Sequence, residues 1–85
     1  MIRANQVKDS AIATAIKQGK QFSVNYISSG HGMIIATFWL NTEESRRVNR
    51  WDGRAVSAKG RSMDFNCIYE GDMPNLINGM LESRA

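Results

Sequence analysis

The chain is short of the residues from which most recognisable sites are built. Its 85 residues include one cysteine, Cys67, one histidine, His31, and one proline, Pro74. A single thiol excludes an intramolecular disulfide framework, and one Cys with one His is too few for the usual zinc site of about four such ligands. The core is expected to be held by packing alone, with no metal and no cofactor. A long apolar run is lacking too. Met33 to Leu40 is the most apolar stretch and is interrupted by Thr37, whereas about 20 apolar residues are needed to cross a bilayer. Met1 to Gln21 holds nothing like a signal-peptide core, so a soluble cytoplasmic protein without membrane contact is the default expectation. No internal repeat, low-complexity tract or linker interrupts the chain, and no phosphate-binding loop of the GxxxxGK[ST] kind is present.

Catalytic groups that could converge are also missing. Glu43 and Glu44 are adjacent and would point about 100° apart on a helix. Asp52, Asp64, Glu70 and Asp72 stand in or beside expected turns, where carboxylates usually cap backbone groups. The expectation is a protein that is not an enzyme.

What is present describes a globular chain. Apolar residues make up 42%, charged residues 22%, and the aromatics are three Phe, two Tyr and two Trp; a disordered chain is poor in aromatic and β-branched residues. Residues 1–85 suit one domain, with a modest core burying roughly 60% of the surface the unfolded chain exposes.

Val7, Ala11, Ile12, Ala15 and Ile16 share one helical face, predicting a helix from Asn5 to Gln18 with Asn5 as N-cap and Gly19 just beyond its end. From Gln21 to Ile27 the period becomes two, with Phe22, Val24 and Tyr26 on one side, and Met33 to Leu40 is a second, more apolar strand. The glycines flanking His31 make the link a hairpin turn, and His31 an exposed turn residue rather than a ligand. With Ile34, Ala36, Phe38 and Leu40 on one face and Met33, Ile35 and Trp39 on the other, the second strand is expected to be central and at least partly covered on both sides.

Asn41 to Trp51 satisfies two sets of rules. As a helix it has Asn41 as N-cap, Glu44 in capping-box position, arginines in the last turn and Gly53 past its end. As a strand it would end in the hairpin signal Asp52-Gly53 and leave Val48 and Trp51 on opposite faces. The helix is the favoured expectation. Ser57 to Ser62 then forms an exposed loop, and Met63, Phe65, Cys67 and Tyr69 alternate as a strand with Cys67 a buried structural thiol. Asp72 is placed to cap a last helix whose stripe is Met73, Leu76, Ile77, Met80 and Leu81. That stripe is expected to serve the core, with a homodimer face as the other possibility. The fold class is therefore α+β: an antiparallel sheet of three to four strands with an N-terminal and a C-terminal helix packed on it, in the order α-β-β-(α or β)-β-α.

One segment carries the charge. Residues 46–61, RRVNRWDGRAVSAKGR, hold six of the eleven Lys and Arg residues against one acid, Asp52, and so carry +5, while the rest of the chain sums to −2. Six cations of one sign stay in water unless partnered. Arg46, Arg47, Arg50, Arg54, Lys59 and Arg61 are the candidate binding residues, five of them arginines, which suit bidentate contact with phosphate. Trp51 among them is either a stacking platform for an unpaired base or the closure of the core. The leading expectation is a non-catalytic nucleic-acid-binding protein that contacts phosphates with little base specificity. The alternative is an inhibitor or accessory module that docks this basic patch on the acidic or nucleic-acid-binding surface of a larger protein.

Overall fold

The computed structural model describes residues 7–43 and 47–83. The first helix, α1 (Ser10–Gln18), starts later than its apolar stripe suggests. Its N-cap is Asp9, whose carboxylate accepts from the N–H groups of Ala11 at 2.9 Å and Ile12 at 3.2 Å, two of the donors that a helix start leaves unsatisfied. Asn5, the expected cap, lies outside the described residues, and the residues between Val7 and Asp9 are not helical. Val7 is nevertheless buried, and Lys8 donates its N–H to Asn78 Oδ1 at 2.9 Å. A tertiary bond thus takes the donor that an earlier helix start would have needed. The C-terminal end follows expectation, with Gly19 at φ 68° and Lys20 N–H bonded to Ala15 O.

Four strands follow: β1 (Phe22–Ser28), β2 (Gly32–Leu40), β3 (Arg50–Ser57) and β4 (Ser62–Tyr69), in the spatial order β1-β2-β3-β4 with every pair antiparallel. A 3₁₀ turn (Glu70–Asp72) leads into α2 (Met73–Glu82). The order is α-β-β-β-β-α, an α+β fold. Both helices cover the same sheet face: Ile12 and Ile16 of α1 and Met73, Ile77 and Met80 of α2 join Val24, Ala36, Phe38, Trp51 and Ala55 in one core.

The favoured helix at Asn41 to Trp51 does not form among its described residues: Thr42 and Glu43 are in a turn, Arg47 and Val48 in a bend, and Arg50 and Trp51 open β3, while the expected capping-box residue Glu44 lies outside the described residues. Trp51, Gly53, Ala55 and Ser57 alternate inward along β3 and are buried, while Val48 precedes the strand and is exposed. Asp52-Gly53 is therefore mid-strand. A Cβ on Gly53 would stand 2.5 Å from Phe38 Cδ1, so glycine is required there because the ring of its β2 partner occupies the space. Phe38 lies 5.5 Å from Phe22 and 5.4 Å from Phe65, ring centre to ring centre. Neighbouring strands thus supply the apolar bulk over β3, which leaves little period-two signal in its own sequence.

In β4 the expected alternation breaks at Cys67. Trp51 pairs with Ile68 but Gly53 pairs with Phe65, so Asn66 and Cys67 together oppose Asp52. This is a β-bulge. Cys67 adopts φ 54°, and its N–H donates to Asp52 Oδ1 at 2.9 Å. After the bulge Ile68 faces the core and Tyr69 the opposite side, the reverse of the expected parity, and Cys67 is only half-buried. Asp72 occupies the N-cap position of α2 without a side-chain capping bond; the preceding 3₁₀ turn makes the entry instead, with Met73 N–H on Glu70 O.

Candidate binding surface

The basic segment is not gathered into one patch. An extended strand rises about 3.4 Å per residue, so β3 alone separates its ends by about 24 Å. Arg50 and Arg54 lie on the sheet face opposite the helices, and the exposed Arg47 stands just before the strand. Lys59 and Arg61 lie beyond its far end, in the β3–β4 turn. Arg46 is outside the described residues.

Trp51 is 0% exposed. It closes the core beside Phe22, and its Nε1–H donates to Glu70 Oε1 at 3.0 Å. The stacking role considered for it is thereby removed, because the ring cannot meet a base without leaving the core. Most of the α2 stripe is taken as well. Met73, Ile77 and Met80 are buried, and Leu76 and Leu81 pack against the core while staying partly exposed, so three of the five residues are spent on the core.

The surface that sequence reasoning missed is the outer face of the sheet, which no described element covers. Cross-strand pairing sets its rows: Asn25, Ile35 and Val56; Ser23, Thr37, Arg54 and Asp64; Trp39 and Asp52; Arg50 and Tyr69. Trp39 is 39% and Tyr69 47% exposed, large values for aromatic rings held on strands. The expectation that the outer side of β2 is partly covered does not hold for the described residues, since Met33, Ile35 and Trp39 are all open to solvent.

The cations of this face are held in place. The Arg50 guanidinium lies 4.6 Å from the Tyr69 ring centre and donates to Tyr69 Oη at 3.2 Å, a cation–π arrangement that exposed arginines favour. Arg54 Nε donates to Asp64 Oδ1 at 2.9 Å, and that hydrogen bond and charge raise the Arg54 pKa above its ordinary value. Between them, Asp52 accepts from Cys67 N–H through Oδ1 and from Asn41 Nδ2 through Oδ2, both at 2.9 Å. Asp52 therefore anchors the bulge that turns Tyr69 outward. A carboxylate expected in a turn instead shapes the sheet face, and only the bulge, invisible in the alternation of β4, brings Tyr69 beside Arg50.

No protein-family model, curated protein or solved structure matches this chain. Its chemistry must be read from its own residues. Among the described residues no group of three or more His, Cys, Asp or Glu could hold a metal ion, and no helix is long and apolar enough to cross a membrane. Half-exposed aromatic rings and guanidinium groups on one open sheet can stack on flat rings and contact anions. They supply no nucleophile paired with a base.

Proposed function

We propose that the chain binds single-stranded nucleic acid across the open sheet face, without catalysis and with little base specificity. The observation that carries this reading is the placement of Trp39 and Tyr69 on the same uncovered face as Arg50 and Arg54. Stacking on an aromatic ring tolerates any base and contributes about 1–3 kcal/mol per base. Arg47, Arg50 and Arg54 are the phosphate contacts. The Arg54–Asp64 pair is exposed and screened by solvent, so a phosphate can replace its carboxylate at little cost. Duplex would bind less well, since paired bases offer no free ring face at the centre of a flat sheet.

A protein-binding reading has its own support. Ile27, Met33, Ile35 and Val56 are half-exposed at the other end of the same face, and apolar side chains with arginine are common at protein interfaces. Fluorescence anisotropy of a labelled dT20 strand separates the two. Nucleic-acid binding through about three phosphates predicts a slope of log K against log salt near −2, with binding lost in the triple variant Arg47→Gln, Arg50→Gln, Arg54→Gln. Absence of binding at about 50 mM salt, together with a mass that rises with concentration in light scattering, would transfer the face to a second copy of the chain.

A further inference from the structure

The opposite sheet face carries a second feature, at the end where the helices stop. The turns between β1 and β2 and between β3 and β4 lie side by side there, tied by Ala58 N–H to Met33 O at 3.0 Å and Lys59 Nζ to Gly30 O at 3.5 Å. Between them, above Ile34 and Ala55, opens a cleft of about 360 Å³, at the small end of the range for small-molecule sites. We propose that this cleft binds a phosphate monoester with a compact, partly apolar body. The site is separate from the open face and does not depend on the reading given to it.

Four observations assign the ligand class. No carboxylate lines the cleft, while Arg61 and His31 both do; an anion therefore meets donors and no repelling charge. The Arg61 guanidinium has no ion pair or hydrogen-bond partner among the described residues, so its fork is available for a bidentate contact. Tyr26, Ser28 and Ser62, each of which carries a hydroxyl, line the same cleft. The three non-bridging oxygens of a phosphate monoester use such a donor set more fully than the two oxygens of a carboxylate. The floor is apolar, with Ile34, Ala55 and Met63, which suits a carbon body rather than a bare ion.

Arg61 is also pre-positioned. Ser57, the one buried polar residue among the described residues, donates its N–H to Arg61 O at 2.8 Å and accepts from Arg61 N–H through Oγ at 3.1 Å. Both backbone groups of Arg61 are thus fixed to the end of β3, and the turn behind them closes through Gly60 at φ 85°. This gives the buried serine a role: it holds the cation at the mouth of the cleft.

The test is a titration of the full chain with uridine 5′-monophosphate, uridine and inorganic phosphate, followed by amide resonances. The monophosphate is expected to shift His31, Arg61 and Ser62, with inorganic phosphate at least tenfold weaker and uridine without effect at the same concentrations. Arg61→Gln should weaken the monophosphate at least tenfold while leaving dT20 anisotropy on the open face within twofold. A 5′-phosphorylated dT10 compared with its 5′-hydroxyl form distinguishes a strand end from a free mononucleotide: a gain that Arg61→Gln abolishes assigns a strand end, and equal binding assigns the small molecule. Equal shifts by uridine and its monophosphate would overturn the proposal, as would unchanged affinity in Arg61→Gln or shifts confined to residues 47–54. Loss of dT20 binding by the wild type with the monophosphate shifts intact would overturn only the open-face reading.

Discussion

Replacing Gly53 by alanine puts a methyl carbon where Phe38 Cδ1 and Cε1 would lie 2.5 and 2.7 Å away, with Thr37 O at 3.0 Å. The ring has little room to yield, because Phe22 and Phe65 pack against it with ring centres at 5.5 and 5.4 Å. Overpacking a filled core costs about 1–3 kcal/mol, while alanine recovers about 0.5–1 kcal/mol of the entropic disadvantage of glycine in a strand. At the centre of these ranges a net destabilisation of about 1.25 kcal/mol remains. In a domain of this size each kcal/mol moves the melting temperature by about 4–8 °C, so Gly53→Ala should melt about 5–10 °C below the wild type. Thermal and urea denaturation followed by circular dichroism measure it. A second substitution makes the cause specific: Phe38→Leu should cost less in the Gly53→Ala background than alone, with a coupling of at least about 0.5 kcal/mol, because the smaller side chain clears the methyl. A Gly53→Ala protein as stable as the wild type, or additive effects of the two changes, would refute this reading of the packing and restore Asp52-Gly53 as an ordinary flexible pair.

Phe38→Ala should cost about 3–5 kcal/mol and unfold a marginal domain, whereas His31→Ala at the exposed turn should leave the melt unchanged; equal effects would contradict the assignment of core and turn. Cys67 holds φ 54°, a conformation that costs an L-residue about 1–2 kcal/mol, so Cys67→Gly should be neutral or up to about 1 kcal/mol stabilising in urea, and a clear loss would mean the thiol packs more than its half-burial implies. Asp52→Ala should lose about 1–3 kcal/mol by removing the carboxylate that accepts from Cys67 N–H in the bulge, with unchanged stability the contrary result. Lys8, through its hydrogen bond and charge, lowers the Glu82 pKa. A carboxyl lowered in the folded state contributes stability above its unfolded pKa of about 4.3 and loses it as pH falls through the folded value. Melts in acid should therefore show a small, salt-sensitive decline that is absent from Glu82→Gln; identical acid profiles would remove the contribution.

Where side chains of one element carried their own periodicity, the fold was legible in the sequence. β1, β2 and α2 needed only the alternation from Phe22 to Tyr26 and from Ile34 to Leu40 and the stripe from Met73 to Leu81. β3 was obscure for a physical reason. Its inward residues are one Trp, a glycine, an alanine and a serine, because Phe38 of the next strand fills the space above Gly53. Local capping signals around Asn41 and Glu44 were then the stronger pattern, and long-range packing overrode them. Charge identified the basic segment but not its geometry: extension along a strand divides it between the open face and the far turn. The two exposed aromatic rings were hidden by different causes. Trp39 sits in a run apolar enough to suggest cover on both sides, and Tyr69 reaches the open face only through a bulge whose determinants are the Asp52 carboxylate and the positive φ of Cys67. His31 and Arg61, thirty residues apart in the chain, line one cleft only because two turns meet at one end of the sheet.

The open-face account rests on Trp39 meeting a base, and the chain carries its own reporter for that event. Of its two tryptophans, Trp51 is buried and Trp39 half-exposed. Titrating the protein with dT20 at about 50 mM salt should quench the solvent-exposed part of the tryptophan emission, reversibly on raising the salt, because stacking requires ring contact and electrostatic attachment is weakened by counterions. In Trp39→Phe, whose ring can still stack, the remaining Trp51 emission should not respond although the strand still binds, whereas Trp39→Ala should bind about 5-fold to 150-fold more weakly than the wild type, as loss of about 1–3 kcal/mol of stacking implies. Binding seen by anisotropy without any quenching of the wild type, or quenching of equal size in Trp39→Phe, would contradict the assignment of the sheet face as the nucleic-acid surface.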